Sequence, residues 1–310
     1  MKLSIVLPDA SYREMFHTPI YLNRQNANRK DYEIIWMELY DKETPILREY
    51  KEKGILEKYI ILGQSILQYY KWPILLNEAI LQSEGDILCV MDGDAICSPN
   101  FVSSIISSFE QYQKIILYID EVRHAPPEWC WPTVKEWDEV MKLFGTKNWH
   151  NWGGCNNTTG IDELLGRYGN TFLDINNICP TMTNKNYGAC FSALRTDLVK
   201  IGGFEEHEGF DGVYTGSWEA GWRLLSFGFR EYWHPVEFLI HTHHPLTDGW
   251  PIRDRAPPRP DGFVYMNSYA TNRLIDTINS PPLTDEQRRL KSLPWVENEK
   301  IKAVRLNLKP

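Results

Sequence analysis

The chain has 310 residues, of which 43% are hydrophobic and 24% charged, an ordinary composition for a globular protein. Its net charge of −8 argues against a nucleic-acid partner, because nucleic-acid-binding domains usually carry a basic face. The length suffices for one large α/β domain or two smaller ones. The six cysteines are spread singly, a pattern that favours free thiols in a reducing compartment over a disulfide scaffold.

The first 120 residues alternate short apolar segments with helix-length segments. The predicted strands are Leu3–Leu7, Tyr32–Met37, Lys58–Leu62, Asp86–Met91 and Ile115–Ile119. The predicted helices are Pro45–Lys53, Pro73–Ser83 and a third that begins at Pro99. Such alternation predicts an α/β fold whose parallel sheet is covered by helices on both faces. Sheets of this kind bind ligands at the carboxyl ends of their strands.

The alternation stops at residues 121–185, which contain five tryptophans between Trp129 and Trp152. We expect most of these rings in the core of an inserted subdomain, with one or two contacting a ligand. Regular structure is predicted to return at Tyr187, with a helix at Trp218–Leu225 and a strand at Val236–Ile240. Three regions result: residues 1–120, residues 121–250 of the same domain, and a proline- and charge-rich C-terminal appendage at 251–310.

Neither a signal peptide nor a membrane-spanning segment is predicted from the sequence. Met1 and Lys2 lead directly into a predicted strand rather than a signal peptide. No run of about 18 apolar residues is found, so no transmembrane segment is expected. A cytoplasmic location is therefore predicted, and peripheral membrane contact stays open.

An acidic pair follows the fourth predicted strand, where Asp92 and Asp94 flank Gly93. Residues i and i+2 of an extended chain point the same way, so both carboxylates can converge on one position. Glycine lets a ligand approach the backbone there. Adjacent carboxylates repel unless a cation lies between them, and Mn²⁺ or Mg²⁺ shared with phosphates fits these hard oxygen ligands. The alternative is a solvated turn that caps the helix at Pro99.

Several short motifs occur in a recognisable order. They are Ser4–Pro8, Glu33–Glu38, Leu76–Ile80, Asp92–Asp94, and Tyr187–Phe191 followed by Lys200–Phe204, which ends in Gly-Gly-Phe. As an ordered set over residues 1–245 they resemble a family-2 glycosyltransferase and, more loosely, the GT-A group. The resemblance implies a GT-A type, mostly parallel mixed sheet sandwiched by helices. It also implies metal-dependent, inverting transfer of a hexosyl or N-acetylhexosaminyl group from a nucleoside-diphosphate sugar to a hydroxyl of a glycan or glycoconjugate.

The resemblance assigns roles to individual residues. Residues 1–120 would form the nucleotide-sugar-binding half, and residues 121–250 the acceptor-binding and catalytic half. Pro8 and Asp9 would border the nucleotide, and Glu38 would accept an N–H of its base, unless Glu38 is only an exposed strand-end acid. Asp92 would lie near the ribose and the metal, and Asp94 would ligate the metal. Asn77 and Gly93 complete the nucleotide-binding set.

The resemblance leaves the general base open, because the acidic pair that similar enzymes carry six and seven residues before the arginine corresponding to Arg223 is replaced here by Gly216 and Ser217. Similar enzymes place on this helix an acid that deprotonates the acceptor. The candidates for the base are Glu219, Asp211 and Glu208, and Glu219 is predicted to be the base because it is the acid within Trp218–Leu225. Glu219 lies four residues before Arg223 and shares its helix face, so a structural ion pair is the alternative for Glu219.

A histidine cluster, His241–His244 around Thr242, follows the predicted strand Val236–Ile240. His241 lies 18 residues after Arg223, a spacing that resembles retaining transferases in which a histidine completes the metal site. Together with one or two aspartates, His241 is predicted to ligate Mn²⁺. The alternatives are a zinc site that includes His243, or surface polar residues.

Two other functions compete with the transferase. A nucleotidyltransferase that forms nucleotide-sugars needs a glycine-rich loop after the first strand, and residues 8–13 contain no glycine. A sugar-binding module without catalysis stays open because the acidic pair is missing. Dehydrogenase and P-loop functions are excluded by the absence of G-x-G-x-x-G and G-x-x-x-x-G-K.

Overall fold

The computed structural model describes residues 1–11, 13, 15–65, 71–122, 134–146, 188–207, 215–242, 284, 286–287 and 292–308. The strands in these ranges are β1 (Leu3–Asp9), β2 (Tyr32–Tyr40), β3 (Lys58–Gln64), β4 (Ile87–Met91), β5 (Ala95–Ile96), β6 (Ile115–Tyr118), β7 (Glu121–Val122), β8 (Cys190–Leu194), β9 (Arg230–Trp233) and β10 (Leu239–His241). The α-helices are α1 (Thr18–Asn23), α2 (Pro45–Glu52), α3 (Trp72–Gln82), α4 (Phe101–Gln111), α5 (Trp137–Thr146), α6 (Arg195–Lys200), α7 (Thr215–Ser226) and α8 (Glu299–Asn307).

The main sheet of the described part has seven strands in the order β3-β2-β1-β4-β8-β6-β9. Neighbouring strands are parallel except β8, which is antiparallel to both β4 and β6. The predicted mostly parallel, mixed α/β sheet is therefore confirmed. Every residue of β1, β2 and β4 is buried, as expected for central strands with near-continuous apolar sequences.

The chain order places a topological switch point at β1 and β4. From β1 the chain proceeds to β2 and β3 on one side of the sheet and then returns to β4 on the other side. Because β1, β2 and β4 run parallel, their carboxyl ends lie at the same edge. In open α/β sheets the crevice at such a switch point is the usual ligand-binding position.

A second, three-stranded sheet adjoins this edge. Its order is β5-β10-β7, with β10 antiparallel to β5 and parallel to β7. Strand β5 begins directly after Asp94, and β7 begins three residues after the end of β6. The small sheet therefore joins the segments that leave two strands of the main sheet.

The C-terminal segment packs against the domain in its described part, residues 292–308. Ile301 on α8 is fully buried within the hydrophobic core. Helix α8 lies against α6, and the backbone N–H of Glu206 donates to the carbonyl of Val296. The rest of the predicted appendage lies outside the described residues, apart from 284, 286 and 287.

Several boundaries differ from those expected. The predicted strand Val236–Ile240 is shorter and later, at Leu239–His241, and the irregular region 121–185 contains helix α5. Of the tryptophan cluster, Trp137 is described and packs partly buried against the core; the other four lie outside the described residues.

The expectations of free cysteines and of no membrane-spanning helix can be compared with the residues within the described ranges. Cys89, Cys97 and Cys190 are buried free thiols, in agreement with the expectation for these three. Of the helices in the described ranges, none combines the length and apolar character required to span a bilayer.

Candidate metal and nucleotide site

Asp92 and Asp94 lie immediately beyond the carboxyl end of β4. The backbone N–H of Asp92 donates to the carbonyl of Ala189 at 3.1 Å, and this hydrogen bond fixes the start of the turn. The Asp94 side chain is fully buried, whereas that of Asp92 is 22% exposed. The turn therefore buries the carboxylate of Asp94 and leaves that of Asp92 partly accessible to solvent.

Gly93 is required by the close approach of two side chains to this turn. A Cβ at this position would lie 2.9 Å from Cη2 of Trp36 and 3.1 Å from Cδ of Arg13. Real Cβ atoms rarely tolerate such distances, so a larger residue would displace Trp36, Arg13 or the turn itself.

His241 is brought to the two aspartates by the small sheet. It pairs with Ala95, and the N–H and hydroxyl of Thr242 both donate to the Asp94 carbonyl, at 3.1 and 2.6 Å. Nδ1 of His241 lies 2.9 Å from the Thr242 carbonyl, which can only accept, so Nδ1 carries the proton. The other nitrogen, Nε2, lies 3.4 Å from Oδ1 of Asp94 and 3.8 Å from Oδ2 of Asp92.

Glu121 completes this group, and the sequence analysis did not identify it. Ligand atoms of Asp92, Glu121 and His241 all lie within 4.8 Å of one another. Two ligands of one Mg²⁺-sized ion at about 2.1 Å can be at most about 4.2 Å apart, so a small inward shift would suffice. The available signal was the pair Asp120-Glu121 directly after the strand Ile115–Ile119, a second acidic strand end like that of Asp92.

Arg13 lies between the two aspartates. Its Nη1 donates to Oδ1 of Asp94, and its Nη2 donates to Oδ1 of Asp92 at 2.9 Å. Its Nε donates to the carbonyl of Pro8 at 3.2 Å. The Arg13 side chain is 1% exposed, so a buried guanidinium provides the positive charge that these carboxylates need.

Asp9 and Glu38 lie side by side at the ends of β1 and β2, where they are register partners. Oδ1 of Asp9 accepts from the N–H of Ala10 at 2.8 Å. Glu38 accepts from the backbone N–H groups of Ser11 at 3.1 Å and Tyr40 at 2.9 Å. Burial, followed by the nearby charge of Asp9, raises the pKa of Glu38 to about 8. Since Glu38 is 1% exposed, the alternative of an exposed strand-end acid is wrong.

Pro8 and Asn77 have different surroundings. Pro8 is buried in β1, next to this edge of the sheet, and its carbonyl receives Arg13. The amide of Asn77 instead donates to the Phe204 carbonyl at 2.8 Å and to Glu206 at 2.9 Å, and accepts from the Phe204 N–H at 2.7 Å. These bonds attach α3 to the Gly-Gly-Phe turn rather than directing the amide toward the aspartates.

Glu219 forms a buried ion pair with Arg223. Both of its oxygens accept from the Arg223 guanidinium, one of them at 2.8 Å, and Oε2 also accepts from the N–H of Glu205 at 3.2 Å. Glu219 and Arg223 are each 1% exposed. These contacts fit the structural ion pair that was the alternative for Glu219. The other candidate bases, Asp211 and Glu208, and the possible zinc ligand His243 lie outside the described residues.

Comparison with known proteins extends this picture at the level of fold. No protein-family model and no curated protein matches the chain. Staphylococcus aureus TarS 1-349 in complex with UDP is similar over 99% of this chain and 71% of that chain, with 12% identity and a TM-score of 0.53. GalNAc-T7 with UDP, GalNAc and Mn²⁺ is similar over 89% of this chain and 48% of that chain, with 13% identity and a TM-score of 0.52.

These neighbours are GT-A-type glycosyltransferases, and the chain has the GT-A fold that they share. The resemblance deduced from the ordered motifs is therefore confirmed for the fold. TarS 1-349 also occurs in complex with UDP-GlcNAc, where it matches 99% of this chain with a TM-score of 0.53 and 13% identity.

Proposed function

We propose that the chain is a metal-dependent glycosyltransferase that moves a sugar from a nucleoside-diphosphate sugar to an acceptor hydroxyl. One observation carries this proposal: Asp92, Asp94, Glu121 and His241 converge at the switch point of a GT-A sheet. Solved structures of the same fold contain UDP, UDP-GlcNAc, or UDP with Mn²⁺. A nucleotide and a divalent ion at this edge are the ligands that the acidic site would accommodate.

The donor set suits a hard divalent ion. Asp92, Glu121 and His241 would hold it, with Asp94 as a further ligand once its carboxylate is available. Carboxylates with one imidazole fit Mn²⁺ or Mg²⁺, and the imidazole favours Mn²⁺ of the two. Such an ion, when bound, neutralises the charge that develops on a leaving diphosphate. Asp9 and Glu38 at the neighbouring strand ends would border the nucleoside.

The catalytic base is proposed to be an acid near the start of α7. Inverting transfer needs a carboxylate within hydrogen-bond reach of the acceptor hydroxyl. Because Glu219 is occupied by Arg223, its contacts favour a structural role, and Asp211, four residues before α7, becomes the first acid to test.

Nucleotide binding tests the metal proposal. We expect wild-type protein to bind UDP or GDP at least about tenfold more tightly with Mn²⁺ than with a chelator, since the ion would neutralise the negative charge of the diphosphate beside the carboxylates of the site. Asp94→Asn should lose this metal dependence, whereas Asp31→Asn, at an exposed acid, should retain it. Calorimetry with circular dichroism as a fold control measures both. Equal wild-type affinity for both nucleotides with and without metal would rule out the proposed site.

Donor hydrolysis separates the transferase from a sugar-binding module. A transferase slowly releases nucleoside diphosphate from its donor when water replaces the acceptor, so a panel of UDP- and GDP-sugars can be screened without knowing the acceptor. Metal-dependent release that disappears in Asp94→Asn supports the enzyme. Tight donor binding without any release favours the module.

A further inference from the structure

Arg13 lies between two carboxylates, those of Asp92 and Asp94, that are proposed to ligate the metal ion. It contacts Asp92 and Asp94 simultaneously, and Asp92 also belongs to the group with Glu121 and His241. Oδ1 of Asp94 accepts from Arg13 and is also the oxygen that lies 3.4 Å from Nε2 of His241, so a divalent ion at this oxygen would meet the positive charge of the guanidinium. The arginine and the ion are therefore competitors for one site.

The backbone is strained at Ser11, just before Arg13. Ser11, two residues earlier, has a φ of 59°, in the left-handed region that residues other than glycine rarely adopt. Its N–H donates to Glu38, and the N–H of Arg13 lies 3.4 Å from Oδ1 of Asp9. The position of Arg13 thus depends on the two acids that would border the nucleotide.

We propose that Arg13 closes the metal site of the nucleotide-free protein and that a divalent ion binding together with a nucleoside diphosphate displaces it. This inference rests on the proposed metal- and nucleotide-dependent function. An ion alone has to break a buried, two-fold ion pair and leave a guanidinium without its carboxylates. A diphosphate offers that guanidinium new acceptor oxygens of the geometry arginine favours. Metal and nucleotide binding are then positively coupled, and each strengthens the other.

Mn²⁺ binding to the protein without nucleotide tests the competition directly. Free Mn²⁺ can be measured by electron paramagnetic resonance while wild type and Arg13→Gln are titrated. If the open state is populated at about a tenth or less in wild type, Arg13→Gln should bind Mn²⁺ about tenfold or more tightly. Arg48→Gln is a matched control, because Arg48 is an exposed arginine on α2 paired with Glu43. The control should bind like wild type.

A second variant guards against misfolding of the first. Arg13→Lys keeps the positive charge, but an ammonium cannot bridge two carboxylates as a planar guanidinium does. Its Mn²⁺ affinity should fall between those of wild type and Arg13→Gln. Melting adds an independent readout: Arg13→Gln should melt below wild type in chelator, and Mn²⁺ should raise its melting temperature more than that of wild type.

The outcomes distinguish this inference from the proposed function. If both Arg13 variants bind Mn²⁺ no more tightly than wild type, while UDP or GDP still binds in a metal-dependent way, Arg13 does not close the site and the proposed function stands. If neither wild type nor the variants bind Mn²⁺, with or without UDP or GDP, the proposed metal site itself is overturned. Tighter Mn²⁺ binding in both Arg13 variants, with unchanged binding in Arg48→Gln, supports the competition.

Discussion

Glu38 is a carboxylic acid placed where its charge is costly. It is buried at the end of β2, and Asp9 lies opposite it on β1. Burial and then the charge of Asp9 raise its pKa to about 8, although the N–H groups of Tyr40 and Ser11 favour the ionised form. The folded protein therefore retains a proton on Glu38 at neutral pH that the unfolded chain releases.

This raised pKa predicts a pH-dependent stability. Because the folded pKa of about 8 exceeds the ordinary value of 4.5, the protonated acid favours the folded state below pH 4.5, and this contribution is lost as pH rises toward 8. Glu38→Gln should remove that loss, so its free energy of unfolding should fall less than that of wild type between about pH 5 and about pH 9. Denaturant titrations measure both. Parallel curves for the two proteins would contradict the prediction, and the exposed Glu52→Gln should follow wild type.

At the scale of elements, α7 is attached to its surroundings through Arg223. Beyond Glu219, the guanidinium donates to the carbonyls of Ile201 at 2.6 Å and Ser292 at 3.1 Å, and also to that of Gly203. The ion pair therefore joins a helix, the turn after α6 and the start of the C-terminal segment. The Glu219–Arg223 ion pair is therefore suited to holding these elements together rather than to transferring a proton.

Replacing Glu219 tests that role. Glu219→Gln leaves Arg223 charged and buried without its carboxylate, so we expect the free energy of unfolding to fall by about 3–5 kcal/mol. Asp211→Asn, if Asp211 is the base, should instead lower turnover by roughly 10²–10⁴ with little change in stability. Denaturation and donor turnover are measured for both variants. A Glu219→Gln protein as stable as wild type but inactive would restore Glu219 as the base.

The sequence predicts where strands and helices occur better than it predicts which strands pair and in which direction. Strands β1, β2, β4 and β6 were identified because each is a short apolar run between turn residues, and Asp92 and Asp94 because the strand delivers them locally. Strands β5 and β7 have two residues each, too few for any periodicity to register. The antiparallel direction of β8 depends on a long connection rather than on local pattern, so it too was not predicted.

The candidate site shows the same limit. Glu121 and His241 meet Asp92 only because β10 pairs with β5 and β7. Each of these two strands lies more than a hundred residues before β10 in the sequence. The contact of Arg13 with Asp94 spans 81 positions. Sequence spacing could nominate Asp94 and His241 individually, but it could not indicate that an arginine from the first loop lies between the carboxylates.

At the scale of the whole molecule, the described C-terminal residues belong to the same packed unit as the sheet. Glu205 accepts from the backbone N–H groups of Trp295 at 2.6 Å and Val296 at 2.7 Å. Gly202 has a φ of 83°, and a Cβ there would lie 2.6 Å from Cδ of Pro294. The turn after α6 is therefore shaped to receive this segment, which also supplies the Ser292 carbonyl to Arg223.

A pair of substitutions on α8 tests whether this segment stabilises the domain. Ile301 is fully buried in the core, whereas Leu306 on the same helix is 68% exposed. Ile301→Ala should lower the free energy of unfolding by about 2–5 kcal/mol, because it removes buried methyl groups and leaves a cavity. Leu306→Ala should change it by no more than about 0.5 kcal/mol.

The form of the unfolding transition is as informative as its midpoint. If α8 unfolds together with the sheet, Ile301→Ala should shift one cooperative transition that is seen alike by far-ultraviolet circular dichroism and tryptophan fluorescence. If α8 were only loosely attached, the variant would melt early by circular dichroism while the fluorescence of the core tryptophans Trp36 and Trp233 stayed native. Equal stability of Ile301→Ala and Leu306→Ala would likewise contradict an integral C-terminal helix. We expect a single shifted transition, because the contacts of Ser292, Trp295 and Ile301 connect the segment to the turn after α6, to α7 and to the core at once.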